Sequence, residues 1–356
     1  MAAAPRSETV NPLEQGVDHL YARCVRRAML CGVDPVTKKD YSYRRKWIID
    51  FMKVLAQLFA IDIAFHAELA NHLHNVVRNR PDIVATWSDI EVVRRWLTIT
   101  HLIKSKDGTI KEICENEILI QSKDPERVEK LRMRLSHPSV FMASLCEHVA
   151  RRCNREDGVK GHFWEERHGC RNLVDDAAIM VCGVYVDLNQ IRAGEAQTPE
   201  TSEYTSAHDR IEAMEARKEL GVAMDDHSVD AKMPDNWLCP FTLVEGLDVS
   251  VAESRSSVTN TRVSDKGILP IEFTKYLELL DASGRIVRDG KGSIPDHLAP
   301  ILERLGIRTE MWTEMIQNFD TMFGRIVGAS QRVAKHVEAS GHSWIHGQNK
   351  CRRAFG

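Results

Sequence analysis

Two short stretches, far apart in the chain, limit what this sequence can fold into: Asn71-His72-Leu73-His74 and Tyr185-Val186-Asp187-Leu188-Asn189. In a β-strand, side chains two apart share one face about 7 Å apart, so His72 and His74 can converge on one cation while Leu73 enters the core. In a helix, residues four apart stack, which sets the Asn189 amide beside the Tyr185 phenol. A chain that uses both must bring one strand face against one helix face. A cation and a phenol oxygen together suit the cleavage of a phosphodiester with covalent capture of the cut end.

The surrounding pattern supplies such elements. Residues 17–27 alternate weakly and predict a first strand, and the turn Gly32-Val33-Asp34-Pro35 follows it. Trp47, Ile48, Phe51, Leu55 and Leu58 recur at helical spacing, which predicts an amphipathic helix over 43–59. Residues 61–66 and 71–78 read as strands, the second carrying the histidines. Ser88-Asp89-Ile90-Glu91 has the pattern of a capping box, and 124–135 and 139–153 predict two more helices around His137-Pro138. Residues 162–173 read as a strand, after which Asp175 or Asp176 opens the helix of Tyr185, ending near Gly194.

By layer logic this order implies an α+β domain, an antiparallel sheet with helices on one face. The expected division is a tail over 1–16, the principal domain over 17–194 with a helical insertion around 85–155, a polar connector over 195–265, and a C-terminal helical domain over 266–356.

His72-Leu73-His74 resembles the His-hydrophobe-His (HUH) motif of single-tyrosine transposases, and the preceding Asn71 is also typical of them. Tyr185-x-x-x-Asn189 followed by Ile191-Arg192-Ala193-Gly194 is similar to the tyrosine helix of their REP-associated branch. Gln190 stands where that branch usually has proline, and Asn75 where a strand usually has an apolar residue. The resemblance covers roughly 17–210. It implies a ferredoxin-like HUH domain, with Tyr185 as nucleophile and His72, His74 and Asn189 as ligands of Mg²⁺ or Mn²⁺. It further implies a 5′-phosphotyrosine intermediate, single-stranded or hairpin DNA as substrate, and a monomer or homodimer. The corresponding location is the cytoplasm, with the nucleoid when DNA is bound.

Composition bounds these expectations. The net charge of −3 argues against indiscriminate coating of nucleic acid, yet cations cluster locally, at Arg23, Arg26 and Arg27 for example. Those three, with Trp164, Arg167 and Arg192, are the candidates for contacting DNA. The nine cysteines are scattered without a Cys-x-x-Cys pair and read as reduced thiols. No run approaches the roughly 18 apolar residues of a membrane span. Two other functions remain open: a DNA-hairpin-binding protein without turnover, and a metal-dependent hydrolase of small substrates in which Tyr185 is dispensable.

Overall fold

Five strands build one mixed sheet: β1 (Val17–Arg23), β2 (Ile61–Glu68), β3 (His72–Asn79), β4 (Gly169–Leu173) and β5 (Ile326–Val327), in the order β2-β3-β1-β4-β5. The computed structural model describes residues 12–105, 112–223, 227–243, 257, 260–289, 295, 297–339 and 345–355. Most of the expected tail, residues 1–11, lies outside them. β1 pairs antiparallel with β3 and β4, with Tyr21 opposite His74 and Arg23 opposite His72. β4 and β5 are parallel, so the sheet is mixed where an antiparallel one is expected. The strand expected over 162–173 begins only at Gly169. The residues before it form a loop, whose one link to the β1 side is an isolated bridge from Trp164 to Cys24.

Helices cover both faces of the sheet, not the single face expected. β2 accords with this, since all eight of its residues are buried and no solvated face is left. On one side Leu20, Ala22, Leu73 and Val77 join a core with α1 (Arg44–Leu58), α2 (Pro81–Thr86), α3 (Asp89–Lys104), α4 (Glu115–Ser122), α5 (Pro125–Leu135) and α6 (Pro138–Glu156). The caps are local: the Ser88 hydroxyl accepts from the Glu91 amide at 3.2 Å, and the Asp124 carboxylate accepts from the Arg127 amide at 3.1 Å. The helical insertion is thus the second layer of the sheet.

On the other side Val17, Val76 and Leu173 pack with α7 (Asp176–Asp187), which carries Tyr185 and runs into α8 (Asn189–Arg192). Asp175 caps α7 by accepting from the Ala178 amide at 2.9 Å. Gly183 lets α7 lie close to β2, because a Cβ there would sit 2.6 Å from the Phe65 ring. Gly194, at φ +73°, stops the tyrosine helix where the sequence places its end.

From Ala177 to Asp187 every residue of α7 is buried. A helix apolar all round has to be covered on its outer side as well. The last third of the chain does this with α10 (Phe273–Asp289), α11 (Ala299–Arg304), α12 (Thr309–Met322), α13 (Ser330–Ala339) and α14 (Gln348–Ala354), which share one core with α7 and contribute β5. The described residues of the 195–265 segment are built in as well. Its helix α9 (Ser206–Glu219) packs on the β2 edge, and Arg210 donates to the carbonyls of Ala64 at 2.8 Å and Cys239 at 3.1 Å. The buried Asp187 carboxylate accepts from the Ser206 hydroxyl at 2.5 Å and from the Tyr276 phenol at 2.6 Å, tying α7, α9 and α10 together. The expected connector and C-terminal domain therefore add layers to the first domain's core.

Candidate functional site

Strand parity places the site. His72 and His74 project from β3 toward α7, while Leu73 and Asn75 project into the opposite core, where the Asn75 amide lies 3.9 Å from the Met142 sulfur. The same parity on β1 sends His19 and Tyr21 to the α7 side. The His72 and His74 ring centroids are 5.1 Å apart, and those of His74 and Tyr185 5.6 Å. The Asn189 side chain stands close enough to His72 to raise its basicity, and its amide donates to the Tyr185 carbonyl at 3.0 Å. All four residues expected at the site meet there.

Each imidazole is held by a partner that fixes its orientation. His72 Nδ1 lies 2.6 Å from Asn71 Oδ1, and the Asn71 amide also donates to the Arg27 carbonyl at 3.2 Å. His74 Nδ1 lies 2.9 Å from His19 Nε2, and His74 Nε2 is buried without a hydrogen-bond partner among the described residues. With the shared proton on His74 Nδ1, Nε2 keeps its lone pair for another ligand. Burial, with the Arg23 guanidinium adding to it, pushes His72 down to about 4. Burial and the neighbouring His72 and His19 hold His74 well below the ordinary histidine range, and burial with Arg171 brings His19 to about 3. At neutral pH these are uncharged imidazoles, the form that ligates metals. Two such nitrogens and an amide oxygen fit a divalent cation.

Sequence reasoning leaves out the most direct partner of the phenol. Tyr185 donates to Asp320 Oδ2 at 2.5 Å, and Asp320 comes from α12, far along the chain. Arg171, on β4, donates to Asp320 Oδ1 at 2.8 Å and to the Asp320 carbonyl at 3.0 Å. Partial burial works against the Asp320 charge, but Arg171 and the Tyr185 hydroxyl outweigh it and hold the carboxyl below its usual range. Tyr185 is 2% exposed, and burial together with the Asp320 charge raises its phenol above the ordinary value. The Asp320 side chain is 38% exposed, so this proton acceptor touches solvent on one side. Phe319 stacks on the Tyr185 ring at 4.9 Å, and the Arg192 guanidinium sits 4.7 Å from the same ring.

A cavity of about 210 Å³ opens onto the histidine pair and Asp320, lined also by Tyr21, Arg23, Arg167 and Arg171, while Tyr185 and Asn189 do not line it. Arg23 and Arg167 are exposed at its rim, and Arg192 is exposed beside Tyr185. Arg26 and Arg27 are exposed in the turn that follows β1 and do not line this cavity. Trp164 is placed otherwise than expected. Its indole N–H donates to the Cys146 carbonyl at 2.8 Å and its ring packs against the insertion core, which leaves it a structural residue.

Among the described residues, one group of three His, Cys, Asp or Glu side chains has its donor atoms mutually within 4.8 Å: His208, Asp209 and Glu212 on α9. Asp209 is already engaged there with His66 and with the Trp237 indole. No described helix is long and apolar enough to cross a membrane. No protein-family model, curated protein or solved structure matches the chain.

Proposed function

We propose that this protein cuts and rejoins single-stranded or hairpin DNA through a covalent 5′-phosphotyrosine link at Tyr185, as a single-tyrosine HUH transposase does. The observation that carries the reading is the meeting of His72, His74 and Asn189 with a phenol whose proton is already shared with a carboxylate. The sheet with His72 and His74 on an inner strand is consistent with the ferredoxin-like core that the sequence resemblance implies.

The chemistry follows from the groups present. Asp320 takes the Tyr185 proton as the phenol oxygen attacks phosphorus, which a buried phenol of raised pKa requires. The bond from phosphorus to the 3′ oxygen breaks, that oxygen takes a proton from water, and the 5′ phosphate stays on Tyr185. Arg192, against the Tyr185 ring, favours the phenolate. A divalent cation such as Mg²⁺ or Mn²⁺ held by His72, His74 and Asn189 would supply Lewis acidity toward the phosphodiester oxygens. Arg23 and Arg167 at the rim meet the flanking phosphates. In reverse, a 3′-hydroxyl gives its proton to water as its oxygen attacks the phosphotyrosine, the bond from phosphorus to the Tyr185 oxygen breaks, and Asp320 returns its proton to the departing phenolate.

The test is incubation of end-labelled single-stranded hairpin DNA with the protein and Mn²⁺, followed by denaturing electrophoresis. The reading expects a labelled band at the protein's mass that is lost in Tyr185→Phe, and a band surviving that change contradicts it. A second reading, a hairpin-binding protein without turnover, is favoured by the enclosure of Tyr185 between Phe319 and the sheet. It expects hairpin binding in EDTA and no adduct when Mn²⁺ is added.

A further inference from the structure

A second, larger cavity of about 490 Å³ lies between the insertion helices and the loop before β4. Trp96, Thr100, Ile103 and Lys104 of α3 line one side, Arg134 of α5 and several residues of α6 the other, and Arg167 and His168 close one end. Arg167 lines this cavity and the smaller one at His72 and His74, so the two adjoin through one exposed guanidinium. Lys104, Arg134 and Arg167 are all exposed, and none forms an ion pair among the described residues. The one lining carboxylate, Glu147, is engaged by Arg151 at 2.7 Å. The Arg134 guanidinium lies 4.3 Å from the centre of the Trp96 ring, forming a flat cationic and aromatic platform.

Cations without ion pairs along a groove, one of them seated over an aromatic ring, fit a nucleic-acid strand whose bases are unpaired. A volume of this size is within the range of about 300–1,000 Å³ typical of ligand pockets. We propose that this groove binds the single-stranded stretch of DNA that adjoins the phosphodiester presented to Tyr185, with Lys104, Arg134 and Arg167 on its phosphates and Trp96 as a stacking surface. The assignment rests on the DNA-cleaving reading for the direction in which the strand runs, but Lys104, Arg134 and Trp96 are separate from that chemistry, and Arg167 alone is shared with it. It gives the helical insertion a role in holding substrate.

The test is fluorescence anisotropy of a labelled single-stranded DNA of mixed sequence, in EDTA, against the full chain. Lys104→Glu/Arg134→Glu should weaken binding by about tenfold or more and flatten the dependence of log affinity on log salt by roughly 0.7 for each phosphate no longer neutralised. Arg332→Glu/Lys335→Glu, both exposed on α13, makes the same four-unit change in net charge and should change affinity less than about twofold. Trp96→Ala should weaken binding of the single strand without changing that of a duplex of the same sequence. The proposal is overturned if the groove double variant binds like wild type, or no more weakly than Arg332→Glu/Lys335→Glu. Circular dichroism establishes that the variants are folded. If the groove variants lose DNA binding while wild type yields no adduct, the groove stands and the cleavage reading fails. If wild type yields the adduct and the groove variants bind normally, the groove proposal alone fails.

Discussion

Two buried histidine groups, both built on the same sheet, are in opposite protonation states. His72 and His74 have Asn71 and His19 on their Nδ1 atoms and no carboxylate bonded to either ring, so burial keeps them neutral. His66, on β2, is also fully buried, but its Nδ1 is 3.0 Å from Glu68 and its Nε2 is 3.5 Å from Asp209. Burial opposes its charge there too, yet the two carboxylates outweigh it and raise the imidazole to about 9. Burial alone does not make a histidine a ligand; the partner decides. The first group offers lone pairs, and the second is an internal ion bridge.

The largest effects should separate the two groups. His74→Ala is expected to reduce Mn²⁺-dependent adduct to background in the electrophoretic assay. His66→Ala should retain the adduct but lose about 3–5 kcal/mol in urea unfolding, because Glu68 and Asp209 lose their counter-ion. The reverse outcome would erase the distinction. Asp320→Asn should lower the rate of adduct formation by about 10²- to 10⁴-fold at neutral pH, measured as a time course, since the phenol then lacks its proton acceptor. An unchanged rate would show that another group removes that proton.

The pH dependence sharpens the contrast. For His19 and His72 the folded pKa lies below the unfolded value of 6.5, so their contribution is complete above 6.5. It is lost as pH falls through about 4 for His72 and about 3 for His19. For His66 the folded value lies above the unfolded one, so its contribution is complete below 6.5 and is lost as pH rises through about 9. Asp18, raised to about 7 chiefly by burial, likewise loses its contribution as pH rises from 3.8 through that value. Unfolding curves across pH should therefore show stability falling on both sides, with the fall above about pH 7.5 smaller in His66→Gln. Adduct formation should lack a step near 6.5 and hold down to about pH 5. The smallest effect concerns a residue outside both groups. Trp164→Phe should cost about 1 kcal/mol for the lost bond to Cys146 and leave oligonucleotide affinity unchanged.

How much of this was legible in the sequence depended on how local the signal is. His72, His74, Tyr185 and Asn189 were legible because strand and helix periods each place two polar groups on one face. His19 had a usable signal, since Val17, His19 and Tyr21 share one face of β1 and an imidazole interrupts that face. Asp320 had none, because its partner lies far back in the chain and α12 carries no motif. The second helical layer was not legible, because Asp62, His66 and Glu68 give β2 a polar look although it is buried throughout, whereas the cover over α7 was written in that helix's lack of a polar side. The polar composition of 195–265 concealed Arg210, which reaches back to the Ala64 carbonyl on β2, and Trp237, whose ring packs against that of His66. The parallel β5, only two residues long, is too short for any periodicity to reveal.

The most direct measurement is peptide mapping by mass spectrometry of protein incubated with single-stranded hairpin DNA and Mn²⁺, then treated with nuclease. The account predicts a nucleotide phosphate on Tyr185, absent when EDTA replaces Mn²⁺ and absent in His74→Ala. Cleaved DNA with an unmodified Tyr185, or modification of another residue, would contradict it.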